Sequence, residues 1–150
     1  MPKTPAQALL DRVVAAGITP LLRPNGFKKV GRNFRRKGER SVQVVNVQSS
    51  AWSSATELRF TLNLGVFFPE VHAVKTFLGW TPSAVGPTEY ECQLRARIGR
   101  LMPRGVDDWW ELAARDDPAP VANRVLDALR TFGLPWLDTH ANFQTARAAA

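Results

Sequence analysis

The chain reads as an α+β fold, an antiparallel sheet of about four strands with helices packed on one of its faces. Three observations predict it. Segments 58–67 and 91–101 alternate apolar and polar residues with a period of two. Segments 4–17 and 119–132 repeat apolar residues at helical spacing. Each of the two alternating strands has a single apolar face, so the helices belong on one side of the sheet and water or a partner on the other.

The 150 residues fit a single domain, 1–150. An N-terminal helix over 4–17 starts at Thr4, with Pro5 in the first turn and Gln7 placed for a capping box; Leu9, Leu10, Val13 and Ala16 form its apolar stripe. Gly17 is the expected stop, with one further turn over 18–22 distorted by Pro20. A sheet core then spans 27–101. Residues 27–36 form one strand anchored by Phe34, Lys37-Gly38-Glu39-Arg40 the hairpin turn, and 41–48 the return strand. The apolar phase of that return strand changes between Val44 and Val45, which fits burial on both faces or a bulge. In 58–67, Leu58, Phe60, Leu62, Leu64 and Val66 point one way and Arg59, Thr61, Asn63 and Phe67 the other. Residues 70–78 suit a short helix, followed by a loop anchored by Trp80. In 91–101, Cys92, Leu94, Ala96 and Ile98 share the apolar face and Arg95 and Arg97 the polar one. C-terminal helices cover 107–132, the first opening with Asp107 and Asp108 at its positive end, the second ended by Gly133 and Pro135, with a frayed tail at 145–150.

Charge is polarised along the chain. Residues 1–75 hold twelve Lys and Arg against four acids, whereas 76–150 hold eight against nine. Between Arg23 and Arg40 eight basic residues face one acid, a surplus of +7 that equals the formal charge of the whole chain. Such polarity suggests an anionic partner. The expected binding surface is the polar sheet face, with Arg59, Asn63, Arg95 and Arg97, extended by Arg32, Arg35 and Arg36 of the hairpin and by Trp109 as a partly exposed aromatic anchor.

Catalytic motifs are absent from the sequence. Cys92 is the lone thiol, His72 and His140 are the two imidazoles, and no zinc spacing, Walker loop or dinucleotide fingerprint occurs. No catalytic residue, metal or cofactor is expected. The leading expectation is a non-enzymatic binding domain for an acidic protein, compatible with an immunity-type role against a toxin, or for nucleic acid. Phe27 and Phe34 among basic residues are the aromatic element of the nucleic-acid reading. The alternative is a small enzyme with a pocket between the sheet and the 69–90 loop. With no apolar run long enough to cross a bilayer and one cysteine, no membrane association is expected and the cytoplasm is the expected address.

One resemblance is visible. Gly26-Phe27-Lys28-Lys29, the valine-rich Val42 to Ser49, Phe60 to Val66 and Cys92 to Gly99 follow one another as in a bacterial family designated domain-of-unknown-function family 4304. The similarity extends over most of 5–137. It implies a self-contained intracellular bacterial domain and supplies no catalytic or ligand set.

Overall fold

The structure, a computed structural model, describes residues 2–50, 53–71 and 86–142. Helix α1, Pro5–Val13, opens as expected. Thr4 Oγ1 accepts from the Gln7 amide (3.2 Å) and Gln7 Oε1 accepts from the Thr4 amide (3.0 Å). The helix does not stop at Gly17. It passes through a π turn, Val14–Ile18, into α2, Thr19–Leu22. Gly17 serves close packing instead, since a Cβ there would lie 2.4 Å from the carbonyl oxygen of Ala122 on the neighbouring helix. The π turn lets the Thr19 amide reach back five residues to the Val14 carbonyl, just before Pro20, which has no N–H to donate.

The C-terminal helix uses the same device. α4, Pro118–Ala128, continues through a π turn, Leu129–Gly133, into α5, Leu134–Thr139, so Gly133 and Pro135 lie inside the helical run and the expected end at 132 is corrected to 139. A further single turn, α3, covers Ile98–Leu101 and packs against the strand Glu57–Phe67 and the C-terminal π turn.

Among the described residues the sheet is antiparallel throughout and has six strands, two more than expected: β1 Lys28–Val30, β2 Asn33–Lys37, β3 Val42–Ser49, β4 Glu57–Phe67, β5 Leu94–Arg97 and β6 Trp110–Ala113. The order is β1-β2-β3-β4, and β5 and β6 share the remaining edge of β4, opposite its C-terminal and N-terminal halves respectively. One extra strand arises because Gly31 (φ +61°) and Arg32 form a two-residue turn that splits 27–36 into β1 and β2. The other is a correction to the expected helix at 107–112: Trp110 packs on Phe60 (ring centroids 5.4 Å) and Leu112 enters the core while Glu111 points out. That is strand alternation, obscured in sequence by the adjacent tryptophans.

The main core fills one face. Phe34, Val45, Val47 and the even positions Leu58 to Val66 meet Leu9, Leu10, Val13, Ile18, Leu22, Val121, Val125, Leu129 and Leu137 of the helices. The phase change in β3 means burial on both faces, for its register with β4 is unbroken. Val44 turns to the other face and packs with Phe67 and Cys92 in a small second cluster. Cys92 therefore does not share a face with Ile98, because the chain turns through a 3-10 segment, Glu89–Glu91, before β5 begins. Beyond Val71 the expected helix at 70–78 lies outside the described residues, as do His72, Trp80 and the tail at 145–150. Among the described residues no helix is long and apolar enough to cross a membrane.

Candidate functional site

Alternation along β2 sends adjacent arginines to opposite faces. Arg36 turns toward the helices, where its guanidinium donates to Gln43 Oε1 (2.6 Å), the Asn25 carbonyl (3.1 Å) and Asp138 Oδ1 (2.6 Å) and stands 4.6 Å over the Phe27 ring. Arg32, in the tight turn, donates to Asp11 Oδ1 of α1 (2.6 Å), and Lys3 also pairs with that carboxylate. Burial alone would raise the Asp11 pKa; hydrogen bonds and charge from Lys3 and Arg32 outweigh it and hold the group below its ordinary value. The expectation that Arg32 and Arg36 extend the binding face is thus corrected: both tie the hairpin to the helical layer.

The open face is organised in rows across the strands. One row runs Lys28, Arg35, Val44, Gly65, Arg95, and the next runs Asn33, Asn46, Asn63, Arg97. In the second row Arg97 Nε donates to Asn63 Oδ1 (3.1 Å), Asn63 Nδ2 to Asn46 Oδ1 (3.0 Å) and Gln48 Oε1 (2.7 Å), and Asn46 Nδ2 to Asn33 Oδ1 (2.8 Å). Every bond points the same way, from β5 toward β2. The ladder fixes the amides and is buried at Asn63, where an unpaired amide would be costly.

The arginines of this face are engaged to different degrees. Arg95 forms a bidentate pair with the buried Glu89 (2.8 and 3.1 Å), whose hydrogen bond raises the Arg95 pKa further. Arg97 pairs with Asp107 (2.6 Å) and lies 5.2 Å over the Trp109 ring. Arg35 gives only its Nε, to the Pro87 carbonyl (2.8 Å). Arg59 is exposed, opposite Glu111 in register, and forms no ion pair among the described residues.

The structure thus brings Arg35, Arg59, Asn63, Arg95 and Arg97 to one face, with Trp109 at its margin. It adds two residues that sequence reasoning left out of the site, Lys28 and Lys37. Lys28 sits directly across from Arg35, and Lys37 is two positions along the same strand on the same face; both are exposed. Gly31-Arg32 was the available signal, since reading it as a two-residue turn pairs Lys28 with Arg35 at once.

Among the described residues the thiol and the imidazole are both held by their surroundings. Burial, then the nearby Glu89 carboxylate, push the Cys92 thiol up to about 12, so it stays protonated at neutral pH. His140 Nδ1 lies 2.7 Å from the Trp136 carbonyl and its ring packs at a tilt against Trp136 (ring centroids 4.7 Å). Between the sheet and the start of the 69–90 loop lies a hollow of 130 Å³ lined by residues 37–42, Pro69 and Glu70. A larger groove of 940 Å³ runs along β6 at the other side of the sheet, with Arg59, Trp109, Glu111, Arg115 and Arg124 among its walls. Among the described residues no group of His, Cys, Asp or Glu is placed to hold a metal. Phe27 and Phe34 are buried, which removes them as stacking surfaces.

Fold and surface define an α+β domain with one helical face and one polar, partly basic face. The chain matches the family described as Domain of unknown function (DUF4304) over residues 18–139, and it belongs to that family. No curated protein and no solved structure matches it.

Proposed function

We propose that the protein is a non-catalytic binding domain whose open sheet face receives an acidic protein surface at the corner formed by Lys28, Arg35 and Lys37. The observation that carries the reading is the cross-strand pair of Lys28 and Arg35. Like charges directly opposite one another destabilise a sheet by roughly 0.2–1 kcal/mol. None of the three cations has an ion-pair partner among the described residues, whereas Arg95, at the far end of the same row, is neutralised by Glu89. An acidic partner would relieve that repulsion. The amide ladder supports the same chemistry, because it leaves the N–H groups of Asn33 and Gln48 as donors for an acceptor-rich surface.

Protein is favoured over nucleic acid for a structural reason. Single-strand binders stack bases on exposed aromatic rings, and both phenylalanines of the basic stretch are buried in the core. The reading assumes a bacterial cytoplasmic protein, and an immunity-type role, in which a small domain masks an acidic surface of a toxin, is one form it takes.

The test is fluorescence anisotropy with labelled poly-L-glutamate and with single- and double-stranded oligonucleotides over a salt series. The reading predicts saturable binding of polyglutamate that weakens with salt and is lost in Lys28→Glu/Lys37→Glu. Tighter binding of an oligonucleotide at equal salt would move the partner to nucleic acid. No binding of any polyanion at low salt would remove the reading altogether.

A further inference from the structure

The basic corner touches a second feature of the open face. A strap, residues 86–92, crosses that face from β2 to β4. We infer that Tyr90, at the crown of the strap, is the aromatic anchor of the same interface, so that the partner carries an apolar cleft beside its acidic patch. The inference rests on the proposed role of the Lys28, Arg35 and Lys37 corner and supplies the other half of its footprint.

The strap is fastened along its length. Arg35 Nε donates to the Pro87 carbonyl (2.8 Å), and a Cβ at Gly86 would stand 3.1 Å from Arg35 Cδ. At the other end β4 gives up a side chain to admit it, since a Cβ at Gly65 would lie 2.6 Å from Cys92 Sγ. Cys92 packs there with Val44 and Phe67. Between these ends the buried Glu89 carboxylate takes its two hydrogen bonds from Arg95. Thr88 and Glu91 close a capping box, in which Glu91 Oε1 accepts from the Thr88 amide (3.0 Å) and hydroxyl (2.8 Å). Pro87, Glu89 and Cys92 are buried, whereas Tyr90 turns outward with 72% of its surface exposed. Among the described residues it is the one aromatic side chain left mostly exposed. Its backbone is ordered before any partner arrives, so a contact made there loses little to ordering the chain. Tyrosine in such a position is a common hot spot of protein interfaces.

Position says what covers it. The crown of the strap lies by Gly65 on β4, two strands from Arg35. At a strand spacing of about 4.8 Å that separation is about 10 Å. A stable interface covers about 800 Å² on each partner, a patch roughly 16 Å in radius. A protein seated on the corner therefore reaches Tyr90 as well. Charge says what that protein brings. The corner offers cations without ion-pair partners, whereas Tyr90 stands between Glu89, already paired with Arg95, and Glu91, whose carboxylate pairs with no cation among the described residues. Carboxylates of the partner are drawn to the corner and repelled beside Tyr90. The surface that meets the ring is apolar, and the phenol can bury its ring while its hydroxyl stays at the wet margin.

The experiment titrates two labelled probes by fluorescence anisotropy, polyglutamate and a glutamate–phenylalanine copolymer of equal length, against wild type, Tyr90→Ala and Tyr90→Phe. Thermal melting of each variant checks that it is folded. The inference predicts that wild type binds the copolymer about fivefold more tightly than polyglutamate, although the copolymer carries fewer charges; that gain is the worth of one aromatic contact. Tyr90→Ala should bind polyglutamate as wild type does and the copolymer no more tightly, and Tyr90→Phe should keep the gain. Tyr90 is the single tyrosine of the chain, so selective labelling of tyrosine gives one set of ring resonances, which should shift with the copolymer. Equal binding of the two probes by wild type overturns the inference and leaves the corner reading in place. So does a gain that survives Tyr90→Ala or disappears in Tyr90→Phe. If polyglutamate does not bind wild type at all, the corner reading falls and this inference falls with it.

Discussion

Arg35 and Arg36 are adjacent, identical in charge and committed to opposite faces of the same sheet. Arg36 makes three hydrogen bonds, one of them to the buried Gln43, and covers the Phe27 ring on the helical side. Arg35 makes one hydrogen bond on the open side and confronts Lys28. The difference teaches that basic residues in this hairpin divide between holding the fold and remaining available to a partner. The pleat decides which is which.

Substitutions on the helical face should therefore cost stability, and those on the open face should cost binding. The largest effect is expected at Gly17→Ala, where the new methyl would press on the Ala122 backbone and neither helix can yield without repacking. A loss of about 3 kcal/mol in urea unfolding is expected, as for an overpacked core; an unchanged or raised midpoint would contradict the close helix crossing. Arg36→Met should follow at about 2 kcal/mol, because it leaves the buried Gln43 oxygen without its donor.

Cys92 sharpens the comparison from within the open face. Its folded pKa of about 12 exceeds the 9.0 of an ordinary thiol, so between those values the folded chain keeps a proton that the unfolded chain has lost. Its contribution to stability is therefore complete below pH 9 and declines as pH rises above it, by about 1 kcal/mol per pH unit. Cys92→Ala should show a shallower decline over the same range, and iodoacetamide should label the wild-type thiol at pH 8 only after denaturation. Asn46→Ala, which interrupts the amide ladder, should cost about 1 kcal/mol or less, given that Asn46 is only half-buried. Equal losses for Asn46→Ala and Arg36→Met would erase the distinction between the faces.

How much of this was legible in sequence follows from the range of each interaction. The capping box at Thr4 and the alternation of 58–67 are local patterns and stand in the structure as read; the N-terminal stripe does so at Leu9, Leu10 and Val13, whereas Ala16 is exposed because the π turn brings Val14, Gly17 and Ile18 inward instead. Gly17 and Gly133 suggest helix ends because glycine and a following proline ordinarily mark one. Here tertiary contacts and two π turns carry both helices through. The pair Trp109-Trp110 suggests a helix because adjacent aromatics hide a period of two, and only Phe60 across the strand shows which one packs inward. The open face was legible as a set, in Arg59, Asn63, Arg95 and Arg97. The partners that neutralise two of them, Glu89 and Asp107, were not, since each reaches its arginine through a turn whose geometry no spacing rule supplies. The groove along β6 is hidden from the sequence, because the pattern of 107–112 suggests a helix where the structure has a strand.

The most direct measurement sets Arg35→Met beside Arg36→Met in two assays, urea unfolding and polyglutamate binding, under the same conditions. The two variants remove the same charge from adjacent positions. The division of faces predicts that Arg35→Met keeps stability within about 0.5 kcal/mol of wild type and weakens binding, while Arg36→Met loses stability and binds as wild type where it is folded. Equal effects in both assays, or the reverse assignment, would contradict it.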